Sequence, residues 1–128
     1  MHGALRGTRG AAVAVARADA AALRVEFAGV GNVAGTIVAG EGTQSLVSLP
    51  GIVGHEMRKV QPFAYPWPAG GPLVLASDGL GTQWRLGRYP GRGARHPALL
   101  AGVLYRDFAR RRDDVTVVVV RHGVAAAP

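Results

Sequence analysis

Pro72-Leu73-Val74-Leu75-Ala76-Ser77-Asp78-Gly79 is an apolar run that ends on a carboxylate followed by glycine. A half-buried strand alternates apolar and polar residues, whereas a run without alternation fits a strand covered on both faces. The pattern predicts such a strand over 72–77 and a turn at Asp78-Gly79. A second run of this kind, Val115 to Arg121, is dominated by valine and follows Asp113-Asp114. If the two runs are neighbours in one sheet, Asp78 and Asp113 emerge near the same sheet end. Between them, His96-Pro97 opens a helix with proline at its first position. Leu100, Val103, Leu104 and Phe108 then recur at helical spacing. Arg110-Arg111-Arg112 fall at its end, where cations suit the helix dipole.

Upstream, the chain reads as a meander of short antiparallel strands. Gly10 to Asp19 alternates small and β-branched residues, and Leu23 to Phe27 places Leu23, Val25 and Phe27 on one face. The short link between them predicts a hairpin. Ala28 to Asn32 is a glycine-rich break, Val33 to Ala39 another strand, and Gln44 to Leu49 its return after a turn at 40–42. Arg58 to Tyr65 is a further strand with Val60 and Phe63 inward. The basic, glycine-rich stretch Gly81 to Arg95 has no period and reads as a mobile surface segment. Trp67, between Pro66 and Pro68, reads as a packing anchor.

The 128 residues are 48% hydrophobic and 18% charged, which separates the chain from disordered sequences and allows one core. There are no cysteines, so disulfides and thiolate metal sites are excluded. No run of about 18 apolar residues predicts a membrane span. Met1 to Arg6 lacks the apolar run of a secretory signal, so the cytoplasm is the expected compartment. His2, His55, His96 and His122 lie far apart with no i, i+4 partner, so a histidine zinc site is not expected. Gly29-Val30-Gly31 lacks the rest of a dinucleotide fingerprint. The net charge is +7, with +2 in residues 1–64 and +5 in residues 65–128. That balance suits acidic or phosphorylated partners in general.

Two carboxylates at strand ends supply the oxygen donors that hard divalent cations take. A bound cation of that kind clamps a phosphoryl group and activates water. By spacing alone, Asp78-Gly79 after a strand is more often a turn than a metal ligand, and Asp113-Asp114 reads as a solvated lead into a strand.

Four segments, in order, resemble the SpoIIE-like and RsbX-like branch of the PPM-type, metal-dependent protein serine/threonine phosphatases. They are Arg6 to Val13, Phe27-Ala28-Gly29-Val30-Gly31-Asn32, Leu73 to Leu80 with its Ser-Asp-Gly, and Arg112-Asp113-Asp114-Val115-Thr116 with the strand that follows. The resemblance implies an α+β fold, a partial α-β-β-α sandwich of mostly antiparallel sheets. It implies a cleft for two Mn²⁺ or Mg²⁺ ions and hydrolysis of phosphoserine or phosphothreonine. Carried over, Asp78 and Asp113 are the metal ligands, with Gly79, Asp114 and Asn32 as neighbours of the site. Arg85, Arg88, Arg92 and Arg95 are candidate contacts to the phosphoprotein, because guanidinium pairs well with phosphate. The implied partner is a phosphorylated regulator of bacterial partner-switching and stress signalling.

The family's Asp-Gly-X-Gly-His-Gly motif, whose aspartate bridges the two ions, has no counterpart here. By the resemblance it would precede His2. Residues 1–121 are therefore expected to form an incomplete domain, with 122–128 a frayed tail. A late start, a shortened chain or a degenerate copy each account for this. Uncovered core surface would favour self-association. The alternative reading from charge alone is a non-catalytic basic module for an acidic protein or nucleic acid. Nucleic acid is the less expected of the two, because the few aromatic residues are not interleaved with the arginines.

Overall fold

A computed structural model describes residues 3–40, 42–55, 60–81, 84, 96–111 and 113–122. After a short 3₁₀ turn at Gly3–Leu5 the elements are β1 (Val13–Asp19), β2 (Arg24–Val30), β3 (Val33–Ala39), β4 (Gly42–Leu46), β5 (Ser48–Leu49), β6 (Phe63–Pro66), β7 (Leu73–Ser77), α1 (Pro97–Phe108) and β8 (Val117–Val120). They form two sheets and one helical layer. In the first sheet β2 is central: β1 lies antiparallel on one edge, while β6 (antiparallel) and the short parallel β5 share the other. The second sheet has the order β4-β3-β7-β8 and is antiparallel throughout.

The unbroken apolar run of β7 follows from its place between two cores. Leu73 and Leu75 face the first sheet, where Val25, Phe27, Ile37, Leu46 and Trp67 pack. Val74 and Ala76 face α1, where Val38, Leu80, Trp84, Leu100 and Leu104 pack. Alternation persists in the chain, but both faces are apolar because both are covered. β8 repeats the logic with Val117 and Val119 toward the helix and Val120 toward the sheets. Val118, paired with Leu75 on the sandwich side, remains 45% exposed. The α+β sandwich with mostly antiparallel strands is the architecture expected from the sequence, with a helical layer on one face among the described residues.

Local chemistry sets the turns. The β1–β2 hairpin closes where the Asp19 carboxylate accepts from the Ala22 N–H at 3.0 Å. The helix begins as expected: the His96 ring nitrogen Nδ1 accepts from the Ala98 N–H, and Pro97 sits in the first turn. Trp67 is an anchor, 2% exposed, with its indole N–H donating to the Gly71 carbonyl at 2.7 Å.

Several boundaries differ from the sequence reading. β2 runs on through the glycine-rich stretch to Val30, because Ala28 to Val30 still pair with β1, so the break is only Gly31-Asn32. The predicted return strand over 44–49 is split. Its first part pairs with β3, then the chain crosses to the first sheet, where Ser48 and Leu49 lie beside Gly29 and Val30. Of the strand predicted over 58–65, the described residues 60–62 are not strand and the pairing with Arg24 to Phe27 sets Phe63–Pro66; Val60 is exposed rather than inward. β8 is shorter than 115–121, because its pairing with β7 covers only Val117 to Val120. His122, read from sequence as tail, is partly buried and lies on Trp67, with ring centroids 4.0 Å apart and planes tilted by 35°. Burial against an aromatic face holds it there; residues 123–128 lie outside the described residues.

Phe27 fills the space that two glycines leave. A Cβ on Gly35 would lie 2.9 Å from the Phe27 ring and 3.0 Å from the Leu46 side chain, and one on Gly29 would meet the same ring at 2.9 Å. Gly35→Ala is expected to destabilise the fold by about 1–3 kcal/mol through overpacking. In a Phe27→Leu background the same change should cost less, and urea unfolding of the unaltered chain and the three variants measures that coupling.

Candidate active-site cleft

One end of the second sheet collects most of the residues that the sequence singles out. Val33 pairs with Ser77, so the Gly31-Asn32 crossover lies beside the Asp78 turn. Gly31 has φ of +87°, and a side chain there would meet Ala12 and the Gly51 carbonyl. A glycine therefore makes this crossover between sheets possible. β7 and β8 diverge at this same end. The Ser77 N–H donates to the Thr116 carbonyl at 3.0 Å, and the Ser77 hydroxyl accepts from the Thr116 N–H at 2.9 Å. The same hydroxyl makes a longer contact to the Asp114 carbonyl at 3.5 Å.

Gly79 completes the corner. A Cβ at this position would overlap the Asp114 carbonyl oxygen. The glycine is thus required for the close approach of two chain segments, a reason visible in the structure and separate from the approach to ions that the resemblance implies. Beyond it, the Arg110 N–H donates to the Gly79 carbonyl at 2.7 Å, and the Gly81 N–H to the Phe108 carbonyl at 2.8 Å. The Asp113 N–H in turn donates to the Arg110 carbonyl at 3.4 Å. Residues 77–81 are thereby tied to 108–110 and 113–116 in one backbone corner.

Two adjoining clefts of about 550 and 410 Å³ open at this corner and share Gly31, Asn32, Val33, Ser77 and Asp78. The smaller one reaches Leu80 and Arg110. Asp78 and Asn32 therefore line one cleft. Asp113 and Asp114 are exposed on the segment leading into β8, joined to the corner through backbone contacts. Among the described residues, no group of three or more His, Cys, Asp or Glu side chains is placed to hold an ion. The available donors are carboxylate and amide oxygens, which suit Mg²⁺ or Mn²⁺ better than zinc. Mg²⁺ in particular is held by one or two carboxylates with water and substrate phosphate completing its shell.

Arg85, Arg88, Arg92 and Arg95 lie outside the described residues, as do His2 and Glu56. His96 caps the helix, His122 packs on Trp67 and His55 is exposed in a turn, so these three described histidines stay apart. Arg110 is the cleft residue that sequence reasoning missed. From the sequence it was one of three arginines suited to a helix end; its place beside Asp78 depends on the backbone pairing with Gly79, which leaves no periodic signal.

The described architecture matches part of the PPM-type phosphatase fold. Among solved structures, RsbX in complex with magnesium superposes with a TM-score of 0.74 at 18% identity, covering 92% of this chain and 59% of that one. The phosphatase domain of the cell-fate determinant SpoIIE from Bacillus subtilis, presoaked with manganese, gives 0.61 at 23% identity, over 87% of this chain and 56% of that one. A chain solved in work on the bacterial stressosome, described as a modular system adapted to control secondary messenger signalling, gives 0.79 at 29% identity, over 94% of this chain and 63% of that one. The chain thus spans less than two thirds of the length of these neighbours. No protein-family model and no curated protein sequence matches it. Among the described residues, no helix is long and apolar enough to cross a membrane.

The Ser77 hydroxyl bonds tie the Asp78 turn to the Asp113-Asp114 segment. Ser77→Ala should cost about 1 kcal/mol in urea unfolding. It should also raise amide hydrogen exchange at Thr116 selectively, with the exchange of the β1–β2 hairpin unchanged.

Proposed function

We propose that this chain forms part of a metal-dependent protein serine/threonine phosphatase that removes phosphate from phosphoserine or phosphothreonine. The observation that carries the reading is the Asp78-lined cleft at the sheet end of a PPM-type fold. Asp78 and Asp113 are proposed to hold Mn²⁺ or Mg²⁺, two ions in the intact family site, through their carboxylates. When bound, such an ion polarises the phosphoryl oxygens and lowers the pKa of water. Gly79 keeps the two aspartate-bearing segments in contact, and Asn32 offers an amide to the cleft wall. Asp114, next to Asp113, is a neighbour of the site, and its carbonyl packs against Gly79. The magnesium complex of RsbX and the manganese presoak of the SpoIIE phosphatase domain support the choice of ions. The neighbour from the bacterial stressosome supports a phosphorylated signalling regulator as the substrate.

A version extended upstream, incubated with Mn²⁺, is expected to hydrolyse p-nitrophenyl phosphate and a phosphoserine peptide, and chelation with EDTA is expected to abolish the activity. Asp78→Asn and Asp113→Asn should each lower kcat/KM by roughly a hundredfold or more, as loss of a ligand to a catalytic ion does. Full Mn²⁺-dependent activity in both variants would refute the site. No hydrolysis by the unaltered chain with either ion would refute catalysis by this chain on its own.

A further inference from the structure

Arg110 lines the smaller cleft with an exposed, positively charged side chain. Its backbone N–H is bonded to the Gly79 carbonyl at 2.7 Å, and the preceding Ala109 bridges to Leu80, which is buried in the helix-side core. The root of this side chain is therefore set by packed backbone. Asp78 and Asn32 line the same cleft of about 410 Å³. Among the described residues, none of these three side chains has a hydrogen-bond or ion-pair partner within the protein. Opposite charges that share a cleft without pairing leave each one free for a third group. A guanidinium offers a planar fork of donors that matches a phosphate, and an amide N–H₂ adds one more.

We propose that Arg110, with Asn32, binds the phosphate group of a phosphate monoester in this cleft, an assignment that rests on the phosphatase reading for the identity of the ester. Arg110 is thus placed as a substrate-binding residue that anchors the dianion opposite Asp78. The sign of the electrostatics gives the site a signature. Without a divalent ion, the Asp78 carboxylate repels the incoming dianion and lowers its affinity. With Mg²⁺ held at Asp78, the same position attracts it. Phosphate affinity should therefore rise with Mg²⁺ in the unaltered chain. Asp78→Asn should raise the Mg²⁺-free affinity and remove the response to Mg²⁺.

Calorimetric titration of the chain with inorganic phosphate and with O-phosphoserine, each with and without Mg²⁺, tests this directly. Arg110→Gln is expected to weaken both ligands roughly tenfold, the scale of losing a charge-assisted hydrogen-bond pair. Arg111→Gln makes the same change in net charge, is exposed and does not line the cleft; it should stay within about twofold of the unaltered chain. Arg110→Lys keeps the charge without the fork and should fall between the two. Equal losses in Arg110→Gln and Arg111→Gln, or no measurable binding of either ligand by the unaltered chain, would overturn the assignment. Phosphate binding that follows Arg110 in a chain that hydrolyses nothing would leave the assignment standing and sink the catalytic reading. Mn²⁺-dependent hydrolysis lost in Asp78→Asn, with KM unchanged in Arg110→Gln, would do the reverse.

Discussion

β7 is bonded along both edges and covered on both faces, and the position of the cleft depends on that constraint. Its pairing with β3 brings the Gly31-Asn32 crossover to the Asp78 turn, and its pairing with β8 brings Asp113-Asp114 to the same sheet end. A strand held on all four sides has little freedom to slide, because a one-residue slip would exchange the residues facing the two cores. Here both faces are apolar, so composition alone would tolerate such a slip. Register is better specified by groups that fit only once: the Ser77 hydroxyl against the Thr116 N–H, and the bare Gly79 against the Asp114 carbonyl. These contacts flank Asp78, so the features that define strand register also position the candidate site.

Much of this was legible in the residues themselves. The non-alternating run at 72–77, the alternation at 23–27 and the proline-led helix each carry a local signal, and each appears in the structure near its predicted place, except that Leu23 is exposed in the β1–β2 turn rather than buried with Val25 and Phe27. Trp84, inside the stretch 81–95 read as surface, is instead buried in the helix-side core. The misses at strand ends share one cause. Strand ends at Val30, Leu46, Phe63 and Val120 are set by the length of the partner strand, and a partner far along the chain leaves no mark on local composition. Ser48-Leu49 shows this most clearly. It reads as the tail of a return strand, yet it leaves β4's sheet for the other one and runs parallel to β2. At the site, Asp78 was legible because it ends a buried strand before a glycine. Arg110 was not, because its place depends on one backbone bond to a residue thirty-one positions earlier.

Glycine has two distinct uses in this fold. At Gly31 it provides a backbone angle that turns the chain between sheets. At Gly35 and Gly79 the backbone is ordinary, and what matters is the missing side chain: one position accommodates the Phe27 ring and the other admits a neighbouring carbonyl. A glycine-rich composition in this chain therefore coexists with tight packing at the very positions where the residue occurs inside strands and turns.

The two tryptophans of the chain are divided between the layers, Trp67 in the sheet–sheet core and Trp84 in the core beneath α1. Each layer therefore carries its own intrinsic fluorophore. Peeling the helix from the sandwich would redden the emission of one indole and leave the other blue. Stepwise disassembly can thus be told apart optically from all-or-none collapse without attaching a dye.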